Sequence, residues 1–175
     1  MHTVKIALTI LVALILQLVI SDYLPFFKYL DLPLVVTVYL SLPRAPVQGM
    51  LAGVAAGLGG DLVTGGVLGV GGFSKTLIGY LIAVTSIKIS LEHPLMRLLV
   101  MAVASAANTV LTVGLYQLLD QLLPYITNWK EFGRVLGWKV LADTAAAVVI
   151  FIILDRVFVE QAQARRMAIK RRIYE

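Results

Sequence analysis

Apolar residues run along this chain in long blocks, and most polar residues gather in the gaps between them. A helix that crosses a bilayer needs about 20 mostly apolar residues. Val4 to Ile20 is the first such block. Leu34 to Leu42 is a short block between Pro33 and Pro43, with Asp31 placed to cap its start and Pro33 in its first turn. It spans only when extended by Phe26 to Leu32, so it reads as a short or broken second span. Val47 to Gly60, rich in Gly and Ala, is the third. Val67 to Ile87 is the fourth, Leu95 to Leu123 the fifth between Pro94 and Pro124, and Val135 to Val159 the sixth. Long spans can tilt, so their length is no objection. The pattern predicts an all-α integral membrane protein, a six-helix bundle with a short second helix. A five-span reading, which leaves out the short or the Gly-rich block, ranks second.

Composition sharpens this. The 175 residues are 59% hydrophobic and 14% charged, and mean hydropathy is +0.90. A soluble domain carries about 25% charged residues; there are too few here to cover a soluble surface. One domain is expected at this length: a polytopic membrane domain over residues 1–160, then a basic cytoplasmic tail over 161–175. With 0 Cys, neither a disulfide framework nor a thiolate metal site can form. His2 and His93 are too few for a histidine metal site, and no cofactor or nucleic-acid partner is expected. The excess charge of +5 is mostly a property of the tail.

The first block could pass for a signal peptide. No small-residue cleavage site follows it, and Asp22-Tyr23-Leu24-Pro25 comes next, so it reads as a retained span. Six spans place both termini on one side. With that side cytoplasmic, Lys5, Arg44, Lys88, Arg97, Arg156 and the tail arginines lie inside, and only Lys28, Lys130 and Arg134 lie outside. Trp129 and Trp138 then flank the outer end of span six. The expected location is the bacterial cytoplasmic (inner) membrane, with several passes and both termini cytoplasmic.

Gly49, Gly53 and Gly57 recur every four residues and lead to Asp61, which places all four on one helix face. A face without side chains lets another backbone approach closely, and in lipid such packing holds helices together. The stripe serves either packing within the chain or docking of a partner helix; spacing does not separate the two. Past Asp61, the glycines from Gly65 to Gly72 suit a tight turn and a closely packed start to span four.

Lys75, Lys139, Asp143 and Asp61 lie inside or at the edge of spans, in the outer half of the membrane in this orientation. Lys139 and Asp143 are neighbours on one face. An unpaired charge in lipid costs at least about 2.5 kcal/mol, so two acids and two bases should neutralise one another inside the bundle, with Asn108 available to hydrogen-bond. Such a cluster is an internal structural network or, on a sharper reading, a ligand or ion site. Gly69-Val70-Gly71-Gly72-Phe73-Ser74-Lys75-Thr76 comes close to a phosphate-binding loop, but Ser74 replaces the glycine before the lysine and no strand precedes it. Glu92-His93-Pro94 reads as a cap for span five. Arg165, Arg166, Lys170, Arg171 and Arg172 form a basic run, read as an anchor on anionic membrane lipid or as a contact for an acidic partner. No nucleophile elbow, HExxH or dinucleotide fingerprint occurs, which argues against an enzyme.

The succession Pro46-Val47-Gln48-Gly49, Gly57-Leu58-Gly59-Gly60-Asp61-Leu62, Gly69 and Lys75-Thr76-Leu77-Ile78-Gly79-Tyr80-Leu81 resembles the rod shape-determining protein MreD family. Pro46, Gly57, Asp61 and Gly69 are the positions that match the family motif. The resemblance implies a scaffold subunit of the bacterial elongation (rod) complex. It would bind the bitopic protein MreC and help link MreB filaments to a SEDS glycosyltransferase and its transpeptidase, with no catalytic residues of its own. It also implies a fold similar to the substrate-binding subunit of energy-coupling-factor transporters. The competing reading, a small-molecule (vitamin) binding subunit of a membrane transporter, calls for an Ala-x-x-x-Ala face on the first helix. Here Ala7 is paired with Leu11 and Ala13 is out of step. The topology makes a direct prediction. In intact cells, Arg171→Cys should resist a membrane-impermeant maleimide added from outside and react once the membrane is breached.

Overall fold

The computed structural model describes residues 2–23, 29–43, 45–88, 93–120 and 129–173, without the side chains of 2–3, 20–23 and 159–173. All six blocks are helices: α1 (His2–Tyr23), α2 (Leu32–Ser41), α3 (Pro46–Thr64), α4 (Val70–Lys88), α5 (Pro94–Leu118) and α6 (Trp129–Ile173). Three of them, α3, α4 and α5, are long and apolar enough to cross a membrane by themselves. The apolar stretch of α1 covers Val4–Val19, and α2 is shorter still. The extension of α2 through Phe26 cannot be followed, because residues 24–28 lie outside the described ones. The basic run Arg165 to Arg172 falls where side chains are not described.

The bundle is organised around α2. All ten of its residues, from Leu32 to Ser41, are buried, and it touches α1, α3, α4, α5 and α6. Around it, neighbours in sequence pack as neighbours in space from α3 through α6, and α1 closes on α3. At a rise of 1.5 Å per residue, ten residues cover about 15 Å, half of a ~30 Å hydrocarbon core. Asp31 caps α2 by accepting from the Leu34 amide at 3.0 Å. At this length α2 cannot reach both surfaces of a bilayer, and its capped end is enclosed by α4, α5 and α6. The chain that enters it must therefore satisfy its backbone inside the protein. Gln17 of α1 does part of this: its amide nitrogen donates to the Leu30 carbonyl at 2.9 Å and its oxygen accepts from Leu32 N at 3.0 Å.

The closest helix pair is α3 with α4. A Cβ added to Gly53 would stand 2.4 Å from the Lys75 carbonyl oxygen, and one on Gly57 would stand 2.3 Å from that of Gly71. On Gly49 it would be 2.7 Å from the Gly79 oxygen. The glycine face expected from spacing thus lies against the backbone of α4, where dispersion and Cα–H···O contacts hold two helices with no hydrophobic drive between them. The pair is joined by a turn in which Gly65 ends α3 at φ +66° and Gly69 takes φ +99°, angles natural to glycine. Gly53→Ala should force α3 and α4 apart. Overpacking of this kind costs about 1–3 kcal/mol, read as a lower melting temperature in detergent. Gly137→Ala on α6, with nothing within 4 Å of the new methyl group, should be neutral or slightly stabilising.

Candidate functional site

The charges inside the bundle converge on Asp31. Lys75 of α4 reaches its Oδ2 at 3.0 Å and Lys139 of α6 approaches the same oxygen at 3.7 Å. Asn108 of α5 donates to it from Nδ2 at 3.4 Å. The Asp31 amide donates to Asp143 of α6 at 2.8 Å, and the other oxygen of Asp143 accepts from the Ser105 hydroxyl of α5. One residue at the head of α2 thereby ties together α4, α5 and α6. Lys75, Asn108 and Asp143 are 6%, 2% and 0% exposed, so these contacts are made away from solvent.

Of the residues expected in the polar cluster, Lys75, Asn108, Lys139 and Asp143 meet at this one place. Lys139 turns to Asp31 and makes no ion pair with Asp143, although the two are one helical turn apart. Asp61 does something else. Its carboxylate accepts from Gly69 N at 2.8 Å, from Gly71 N at 3.0 and 3.1 Å, and from Gly72 N at 3.3 Å. It caps α4 across the turn, where the helix N-terminus favours negative charge. The near match to a phosphate-binding loop is explained by this geometry: the amides that would hold a phosphate hold Asp61. Of the four motif positions, Gly57 and Gly69 belong to the α3–α4 contact and turn, and Pro46 opens α3. Among the described residues no group of acids and histidines could hold a metal ion.

Asp31 is the residue that sequence reasoning undervalued, treating it only as a cap. Part of the signal was present: a ten-residue helix cannot reach both membrane surfaces, so an acid at one of its ends can fall inside the bundle. Gln17, the one amide in an apolar first span, is the other omission. A second cluster at the opposite end of α2 was missed outright. Arg97 of α5 donates to both oxygens of Asp155 of α6 at 3.2 and 3.0 Å, and the Tyr39 hydroxyl of α2 donates to Asp155 at 2.9 Å. The Tyr39 ring packs at 5.5 Å from Phe151 and 5.9 Å from Phe158.

Beside Asp31 lies a cavity of about 160 Å³, bordered by Gln17, Asp61, Lys75, Asn108, Tyr116 and Lys139 among others. Hydrogen-bonding side chains from α1, α3, α4, α5 and α6 line much of it, and Leu30, Pro33 and Val70 complete the wall. The arrangement can hold a fold at membrane depth and can present ammonium groups to a small polar guest. Asp31→Ala would strand Lys75 in the interior. Removing one partner of a buried pair costs about 3–5 kcal/mol, so unfolding in detergent should shift by that amount, and adding Lys75→Met should recover most of the loss. Equal stability of Asp31→Ala and the parent would show that the pair contributes nothing.

No curated protein and no solved structure matches this chain. A comparison with protein families matches residues 1–159 to the rod shape-determining protein MreD. That family is one of shape-determining proteins and not of enzymes, and the three long apolar helices suit a membrane protein. The match takes in all of α1 to α5 and the bundle portion of α6, so this chain belongs to the rod shape-determining protein MreD family.

Proposed function

We propose that this protein is a scaffold subunit of the bacterial elongation complex, seated in the inner membrane with both termini cytoplasmic. It binds the bitopic protein MreC and, through it, helps link MreB filaments to a SEDS glycosyltransferase and its transpeptidase. The observation that carries this reading is the family match over residues 1–159. The interior supports it: buried lysines are tied to Asp31 and the glycine face is closed by α4, as suits a rigid body whose work is done on its outside. Because that face is taken, the MreC helix has to dock on an outward surface. On α1, the exposed Leu8, Leu11, Val12 and Ile15 make up an apolar ridge, and among the described residues α1 packs on α2 and α3 alone.

A similarity of fold to energy-coupling-factor subunits belongs to the same reading. A vitamin-binding role does not gain from the cavity, whose roughly 160 Å³ falls below the 300–1,000 Å³ usual for drug-sized ligands. Mild solubilisation of source membranes should recover MreC with this chain, and depletion should round rod-shaped cells. Recovery of no elongation protein, with cell shape unchanged, would overturn the assignment.

A further inference from the structure

We infer that the groove between α4 and α5 is a binding site for an acyl chain of one anionic phospholipid, with Lys88 meeting its phosphate. The groove follows from a difference in packing. On one side α4 is drawn against α3 by bare backbone. On the other it meets α5 at Ala104 and Ala107, whose methyl groups leave space that a larger side chain would fill. The result is a slot of about 220 Å³ on the outside of the bundle. Ile78 and Ile82 of α4 and Ala104 of α5 form its buried floor, and Leu81, Leu99 and Val103 its exposed rim. Thr85 is the one polar residue in the wall. An empty slot of this kind forfeits dispersion contacts along both sides, and in a bilayer hydrocarbon is at hand to fill it.

Length and charge select the occupant. With 19 residues α4 is long enough to cross a membrane by itself, so its last residue, Lys88, lies at one surface. From Lys88 to Ile78, at the far end of the slot, is about 15 Å along the helix axis, and one leaflet of a ~30 Å hydrocarbon core has that depth. Beyond that end the polar cluster takes over: Asn108 follows Ala107, and Lys75 stands one turn before Ile78. A partner helix that crosses the membrane wants an apolar seam along its whole length, and this one covers half. A single acyl chain of the nearer leaflet fits it.

The mouth is positive. Leu81, Thr85 and Lys88 follow one another at helical spacing and share a face of α4, so the ammonium group stands in line with the slot. Lys88 is exposed, and its long stem can carry the charge to the headgroup level. Arg97, near the same end of α5, is committed to Asp155. A cation at the mouth favours an anionic headgroup over a zwitterionic one. In the orientation proposed above, this lipid belongs to the cytoplasmic leaflet. The choice of leaflet rests on that topology; the binding itself does not, so the two fail separately.

The test uses the full chain purified in neutral detergent, with phosphatidylglycerol or phosphatidylcholine added and native mass spectrometry to count adducts and measure affinity. One saturable phosphatidylglycerol adduct per chain, tighter than that of phosphatidylcholine, supports the site. Lys88→Gln should weaken phosphatidylglycerol binding about fivefold and remove most of the preference, while Lys88→Arg retains both. Thr85→Trp places a large side chain in the slot from an exposed position, and should weaken binding of either lipid about tenfold. Thr85→Val should bind as the parent does, and so should Val149→Trp on the exposed side of α6. Phosphatidylcholine bound as tightly as phosphatidylglycerol overturns the proposal, since that is general coating by lipid. So does unchanged affinity in Lys88→Gln or in Thr85→Trp. Loss of a co-purifying membrane protein in Thr85→Trp, with the lipid adduct intact, would assign the groove to a partner helix and overturn it as well.

Discussion

A polypeptide in lipid has no water to satisfy its backbone, so any stretch that leaves the helical pattern at membrane depth must find partners within the protein. This bundle contains such a stretch by construction, because α2 is too short to cross a bilayer and is enclosed on every side. The residues that lead into it, Leu30 to Leu32, draw their partners from other helices. Gln17 serves Leu30 and Leu32, and Asp143 serves the Asp31 amide. Once Asp31 is placed there as the cap, its charge needs balancing, and Lys75 and Lys139 are drawn to it. Asn108 and Ser105 follow, one on each carboxylate. The polar cluster is thus the consequence of beginning a helix inside the bundle.

The glycine face answers a different need with the same economy of space. Two helices in lipid gain nothing from hiding apolar surface from water, so they must touch closely to gain from dispersion. Gly49, Gly53 and Gly57 remove the side chains that would keep α3 from the backbone of α4. The contact also sets Asp61 within reach of the first amides of α4, across a turn made by Gly65 and Gly69. Lys75, projecting from the same α4, is in this way delivered to Asp31 from a helix whose position is fixed by glycine contacts at Lys75 itself and about one turn on either side, at Gly71 and Gly79.

Much of this could be read from the sequence. The six helices follow from the blocks of apolar residues, and the cap of α2 from Asp31 followed by Pro33. The capping role of His93 at α5 likewise followed from its place before Pro94, although its side chain accepts from Leu95 N only at 3.4 Å. Burial of Lys75, Asn108 and Asp143 was expected from the cost of charge in lipid. Which acid meets which base was not legible, because spacing along one helix says nothing about a third helix that enters between. Lys139 and Asp143 are the instructive case: neighbours on α6, they are held apart by the head of α2, which takes the lysine with its side chain and the aspartate with its amide. The Arg97–Asp155–Tyr39 cluster was hidden for a related reason, since all three residues sit at ordinary positions near span ends and only the fold brings them together.

Those two clusters explain how the bundle becomes one body. Asp143 and Asp155 lie 12 residues apart on α6, about 18 Å along its axis, and each holds one end of α2. On α5, Ser105 and Asn108 serve the first cluster and Arg97 the second. So α5 and α6 are fastened to α2 at both ends, while α3 and α4 are fastened to each other by bare backbone and to α2 through Lys75. Sliding α5 and α6 past α3 and α4 would have to break the Lys75–Asp31 pair, whose side chains are only 8% and 13% exposed. The energetic penalty of buried, unpaired charge therefore acts as the lock between the two halves. In the scaffolding role proposed above, such a lock would carry a displacement imposed on one outward face to the opposite one instead of letting it be absorbed by slip between helices.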